Sequence, residues 1–176
     1  CRDIAQKFNN DYKTENFFVV PEPLIKKEFS RIMSLKDGLK KMSKSETSDL
    51  SRINLTDNKD QIINKIKKSK TDTLPLPSTI EELEKRPEAK NLIGIYSSLM
   101  NKTLQKSIDE FSGKNFSYFK EKLSEIIVNE INPISLKVKE LLNDKVFLEK
   151  TLNDGYEKAN EIASKKIKKI HEIVGF

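Results

Sequence analysis

Little in this sequence can do sulfur or imidazole chemistry. The single cysteine stands at position 1 and the single histidine at position 171. That excludes an internal disulfide framework and any thiolate metal cluster. It also excludes most histidine-built metal sites and nucleophile triads drawn from this segment alone. Five glycines and six prolines rule out collagen-like and Pro/Gly low-complexity classes. No apolar run approaches the roughly 18 residues that a membrane-spanning helix needs, so no membrane partner is expected. What is present is charge: 33 Lys+Arg against 27 Asp+Glu in 176 residues, a formal net charge of +6. Charged residues reach 34% and apolar ones only 36%. The first figure lies above the soluble average and the second below it. The length suits one domain, or a small domain with part of another.

The chain opens on Cys1-Arg2-Asp3-Ile4-Ala5, already helical in spacing, and no secretory leader is legible there. The sequence is therefore expected to be a piece of something longer. Phe17-Phe18-Val19-Val20, closed by Pro21 and Pro23, predicts a short buried strand. Ser30 to Leu35 predicts a second strand, with Asp37-Gly38 as the turn that ends it. Residues 40–49 are polar except for Met42 and predict an exposed loop.

From Asp57 onward the periodicity is helical. Asp57 is the expected N-cap, and Ile62, Ile63 and Ile66 form the apolar stripe. Lys59, Lys65, Lys67, Lys68 and Lys70 are expected to cover much of the remaining surface of that helix. Residues 71–78 read as a proline-broken connector. Further helices are expected over 79–85, 88–100, 103–111, 115–131, 134–143 and 145–174. Pro133 marks a start or a kink, and Gly155 an interruption of the last helix. Phe116, Phe119, Leu123, Ile126, Ile127 and Ile131 recur at the helical period. A second stripe runs through Ala159, Ile162, Ala163, Ile167 and Ile170. The fold class is thus mostly α. Residues 1–56 are read as the end of an α/β unit, and residues 57–176 as an all-α helical bundle.

Lys41-Met42-Ser43-Lys44-Ser45 is the segment that carries chemistry. Two ammonium groups and two hydroxyls lie on a loop between a strand and a helix, with Lys40 beside them. Ammonium groups act as point charges on phosphate oxygens, and Ser hydroxyls and backbone N–H groups add donors. Such a loop can close over a polyphosphate. By composition alone it is equally a solvated Lys/Ser loop. The lysines of 57–70 and of 165–169 have two readings as well, as phosphate-facing cations or as solvated helix faces. Arg52 either helps to position the loop, binds RNA or makes a surface ion pair. Phe116 and Phe119 fit the core, and Tyr118 is the aromatic expected to face outward. Asp109-Glu110 and Glu81-Glu82 read as solvated carboxylates, and His171 as a partly exposed helix residue.

Lys41 to Ser45 matches the KMSKS motif of class I aminoacyl-tRNA synthetases letter for letter. The surroundings extend the match: Arg31 to Leu35, Ser51 to Asp57, Lys65 to Asp72, Asn91 to Ser97 and Gly155 to Asn160. In that order they closely resemble the bacterial-type tryptophanyl-tRNA synthetases. The resemblance implies that residues 1–56 end a Rossmann-like catalytic domain and that 57–176 form a helical, anticodon-binding-type domain. It implies ATP-dependent activation of tryptophan to the adenylate, then transfer to tRNA-Trp, with Mg2+ accompanying ATP. Lys41 and Lys44 take the catalytic roles on the leaving pyrophosphate. The backbone at Ile32 and Met42 lies against adenine, and Ser43 and Ser45 complete the phosphate contacts. No metal ligand is implied in this segment.

A homodimer is expected for the complete enzyme, and a cytoplasmic location. Family features that precede this segment, including the HIGH-type motif and the amino-acid pocket, are not in it, so the isolated chain is expected to lack adenylation activity. Glu46-Thr47 replaces the Asp-Pro that follows the motif in many relatives, which affects the stiffness of the loop. A tyrosyl-tRNA synthetase, a non-enzymatic tRNA-binding module, and a basic helical interaction domain without a nucleotide site are the alternatives.

Overall fold

In the computed structural model, residues 1–25 and 30–176 are described. Two compact units result: residues 1–25 with 144–176, and residues 26–143. The boundary expected near residue 56 falls inside the second of these. Among the described residues, seven α-helices, one 3-10 turn and a single two-stranded sheet are found.

The second unit begins with a hairpin. Strand β1 (Met33–Ser34) pairs antiparallel with β2 (Asp37–Lys41), with an irregularity between Met33 and Ser34. The expected strand over 30–35 is thus only two residues long. The turn lies at Leu35-Lys36, and Asp37 and Gly38 already belong to β2. Gly38 is needed for contact, not for the turn: a Cβ there would lie 2.6 Å from the backbone of Pro87 and of Glu88.

Helix α2 (Lys59–Lys67) is capped by Asn58 rather than by the expected Asp57. Asn58 Oδ1 accepts the Gln61 N–H at 2.9 Å, and Gln61 Oε1 accepts the Asn58 N–H at 2.8 Å. That reciprocal capping box satisfies two otherwise orphaned donors. Short α3 (Ile80–Glu84) leads to α4 (Pro87–Leu99), which starts with proline at a position that needs no N–H. Ala89, Leu92, Ile93, Ile95 and Tyr96 of α4 are all buried. A helix that is apolar nearly all round must lie inside, and β2, α3, α5 (Leu104–Phe111) and α6 (Phe116–Asn143) all pack on it.

On α6 the expected stripe holds. Phe116, Phe119, Leu123 and Ile127 are buried, with Ile126 and Ile131 at the margin of the same core. Tyr118 is exposed, as its phase requires. Two expected elements merge here, because α6 runs unbroken through Pro133 for 28 residues. Glu110 is not merely solvated: it accepts from the Tyr96 hydroxyl at 2.9 Å and from Lys102 at 2.7 Å.

The first unit joins α1 (Arg2–Asp11) and α7 (Lys145–Val174). Asp144 caps α7 through the Phe147 N–H at 2.9 Å, and Gly175 ends it in the left-handed region. Gly155 does not interrupt α7. A helical glycine weakens a helix without breaking it. Residues 17–20 form no strand. Phe8, Tyr12, Phe17 and Phe18 cluster instead as tilted and edge-on rings. The Lys166 ammonium sits 3.6 Å from the Phe17 ring centroid and donates to the Phe17 carbonyl. The Ala159–Ile170 stripe is exposed except at half-buried Ile170, and α7 has no buried residue among the described residues.

Candidate nucleotide-binding loop

The 41–45 loop leaves the end of β2 and returns through a single 3-10 turn at Asp49–Ser51. Lys41 is the last residue of β2, so the motif starts on the strand and not beyond it. The Met42 N–H donates to the Ile32 carbonyl at 3.0 Å. The two backbone positions expected to flank adenine are therefore brought together by one hydrogen bond.

Side chains of the motif diverge. Met42 is partly buried against the core, while Lys41 and Lys44 are exposed. Neither of these ammonium groups pairs with a carboxylate among the described residues, whereas Lys40 pairs with Asp37 at 3.6 Å. The Ser43 and Ser45 hydroxyls lie 2.8 Å apart, and Ser43 Oγ also accepts the Ser45 N–H at 3.3 Å. The tip is thus a small polar turn carrying two positive charges that no carboxylate among the described residues pairs. Chemically, it can neutralise and hydrogen-bond an anion that approaches from solvent.

Both stems of the loop are held. Upstream, Asn91 of α4 grips β1 with both ends of its amide. Its Oδ1 accepts the Met33 N–H at 2.9 Å, and its Nδ2 donates to the Met33 carbonyl at 2.8 Å. Asn91 is only 3% exposed, and a buried amide is tolerable when its groups are matched in this way. The hairpin turn is tied down too. The Leu35 N–H donates to the Ser51 carbonyl at 2.8 Å, and the Leu35 carbonyl accepts the Lys70 N–H at 2.7 Å.

Downstream, Arg52 both holds the loop backbone and makes an ion pair, two of the three readings its sequence context allowed. Its guanidinium donates to the Glu46 carbonyl at 2.9 Å and pairs with Asp49 at 3.0 Å. The Asp49 carboxyl is held below the usual carboxylate range, first by the Lys65 hydrogen bond and then by that of Asn54. Lys65 does not join the solvated lysine face of α2; it is buried.

Sequence reasoning missed Asn91 and the burial of Lys65. Asn91 had a signal, a polar residue set in the apolar run around Leu92 and Ile93. Lys65 had none, since its partners stand eight and sixteen residues upstream.

Two cavities lie in the same unit. One, of about 520 Å3, is bounded by Arg31, Met33, Leu39, Asn91 and Leu104. The other, of about 1170 Å3, lies between α2, the 71–75 connector and α6, with Lys59, Lys67 and Lys120 among its walls. Burial lowers the Lys120 ammonium pKa, and that group donates to the Ser69 carbonyl at 2.7 Å. Neither cavity is lined by residues 40–45.

The family described as tRNA synthetases class I (W and Y) matches residues 1–132. The tryptophan–tRNA ligase of Caulobacter vibrioides is 47% identical over 175 residues, covering 99% of this chain and 51% of that protein. That of Rickettsia felis is 49% identical over 175 residues, covering 99% and 52%. Among solved structures, tryptophanyl-tRNA synthetase from Mycoplasma pneumoniae superposes with a TM-score of 0.79 at 26% identity, over 99% of this chain and 51% of that one. The Campylobacter jejuni enzyme complexed with ADP and tryptophan gives 0.65 at 27%, over 99% and 52%. The chain spans about half the length of the curated relatives it matches. This chain, whose hairpin presents KMSKS on an exposed turn, belongs to the class I tRNA synthetases of the tryptophan and tyrosine group.

Proposed function

We propose that this chain is the KMSKS-bearing, C-terminal half of a tryptophan–tRNA ligase. Residues 1–56 close its catalytic domain and residues 57–176 form its tRNA-binding helical domain. The observation that carries the reading is the pair of exposed ammonium groups, Lys41 and Lys44, on a loop whose stems are both fixed. In the complete enzyme the tryptophan carboxylate attacks the α-phosphorus of ATP. The bond to the bridging oxygen breaks, and pyrophosphate departs with the extra negative charge. Lys41 and Lys44 neutralise that charge as it builds, and Ser43 and Ser45 donate to the same oxygens. Preorganised donors count most where charge develops, because they need no rearrangement at that moment.

Ile32 and Met42 offer backbone edges to adenine. Among the described residues no group of three or more His, Cys, Asp and Glu is placed to hold a metal ion. Mg2+ would be carried by the ATP phosphates, its usual arrangement with nucleotide substrates. tRNA-Trp is the second substrate, and basic faces of the helical domain are its natural contact. A homodimer is proposed for the complete protein, for which light scattering is the test, as is a cytoplasmic location. No helix among the described residues is long and apolar enough to cross a membrane.

Lys44→Ala in the complete protein tests the reading. Removing one such donor costs about 3–4 kcal/mol at the transition state, so tryptophan-dependent ATP–pyrophosphate exchange should fall by about two to three orders of magnitude. Tryptophan binding should be nearly unchanged. Small, equal losses in both would refute the assigned role. The isolated 176-residue chain should show no exchange at all.

A further inference from the structure

Of the five lysines from Lys59 to Lys70, Lys65 alone is buried, with 3% of its side chain exposed. A buried ammonium group is costly unless it is closely paired. Lys65 is paired twice: Asp57 Oδ2 and Asp49 Oδ2 each lie 2.6 Å from its Nζ. Asp57 is itself buried, and its Oδ2 also accepts the Asn54 N–H at 2.8 Å. Asp49 is half-exposed and faces two ways. Its second oxygen takes the Arg52 guanidinium at 3.0 Å and the Asn54 amide at 3.0 Å. Arg52 in turn donates to the carbonyl of Glu46, the residue that follows Ser45.

Two cations and two carboxylates make this cluster neutral, so it has no charge left for a ligand. It is a strut from the last turn of α2 to the trailing end of the 41–45 loop. Stability alone would be served as well by apolar residues of similar volume. An ionic strut adds fixed geometry, since each partner is held at a set distance and direction. The leading end of the loop is fixed separately, by β1, β2 and Asn91.

We infer that Lys65 and Asp49 are positioning residues. Through Arg52 they fix the trailing stem of the loop, so that Lys41 and Lys44 meet the ATP phosphates from a defined starting position. The inference rests on reading that loop as the ATP-binding one. Asp49→Asn in the complete protein is the test. The substitution keeps the shape of the side chain and leaves the buried Lys65–Asp57 pair intact, so the fold survives.

The first readout is tryptic cleavage after Lys41 and Lys44 without ATP, which needs no assumption about function. It should quicken by up to about fivefold, the most that a partly exposed charge pair is worth. The second is the KM for ATP in tryptophan-dependent exchange. It should rise by a similar factor while the KM for tryptophan stays at the wild-type value. Asp49→Glu, which keeps the carboxylate, should restore much of both. Unchanged cleavage, an unchanged KM for ATP, or equal rises in the two KM values would overturn the inference. A wild-type complete protein without exchange activity would refute the synthetase reading instead, and the cleavage comparison would then decide the strut by itself.

Discussion

Replacing Gly38 by alanine should loosen the hairpin that carries the loop, and the size of the effect can be worked from the contact. The new Cβ would lie 2.6 Å from the Glu88 nitrogen and the Pro87 carbonyl carbon, where ordinary contact begins at 3.4 Å. The shortfall is about 0.8 Å against backbone atoms, which cannot swing aside as a side chain can. Either β2 or the start of α4 must move. Movement of α4 strains the Asn91 grip on Met33 and the Lys70–Glu88 ion pair at 2.8 Å. Overpacking of this kind costs about 1–3 kcal/mol. For a chain of this size each kcal/mol lowers the thermal midpoint by about 2–4 °C. Gly38→Ala should therefore melt about 2–12 °C below the wild type, followed by far-UV circular dichroism. Gly155→Ala is the matched control. Its Cβ meets nothing within 4 Å, and alanine is the better helix former, so α7 should be no less stable. A Gly38→Ala midpoint equal to that of the wild type would refute the reasoning.

Two further outcomes follow from single groups. The Ser135 hydroxyl on α6 is buried without a hydrogen-bond partner among the described residues. Ser135→Ala should stabilise the chain by about 1 kcal/mol, the lower end of the cost of an unmet buried polar group, in urea unfolding. Asp49 gives a pH dependence. Its folded pKa is depressed below 3.8, chiefly by the Lys65 hydrogen bond, so its contribution is complete above that value. It is lost as pH falls through the folded value. Hydrogen-exchange protection of residues 46–52, corrected for intrinsic rates, should stay flat from about pH 5 to 8 and collapse only in strong acid. A loss of protection near neutrality would contradict the assignment.

The helical bundle was largely legible because period and phase carry it. Phe116, Phe119, Leu123 and Ile127 bury as their spacing requires, and Tyr118 falls on the opposite phase. The loop was legible as a motif, since KMSKS is local. Other features turn on contacts between distant parts of the chain. Asp37-Gly38 has the composition of a turn, yet Gly38 is spent on a close approach to α4, nearly fifty residues away. Phe17 to Val20 has the composition of a strand, but no partner strand is paired with it, and its rings cluster with Phe8 and Tyr12 instead. Pro133 costs α6 one backbone hydrogen bond, which the rest of a 28-residue helix outweighs. Lys65 defied the solvated-face reading because its fate depends on Asp49 and Asp57, which no helical periodicity connects to it.

The contact between Lys166 and Phe17 joins residues 149 positions apart. During synthesis the Phe8–Phe18 ring cluster therefore emerges long before its cation does. At about 5–20 residues per second the wait is about 7–30 s, ample time for residues 26–143 to collapse around α4. Phe17 and Phe18 thus wait on the nascent chain for a cation that only α7 supplies. Premature release just short of Lys166 would leave those two rings without it.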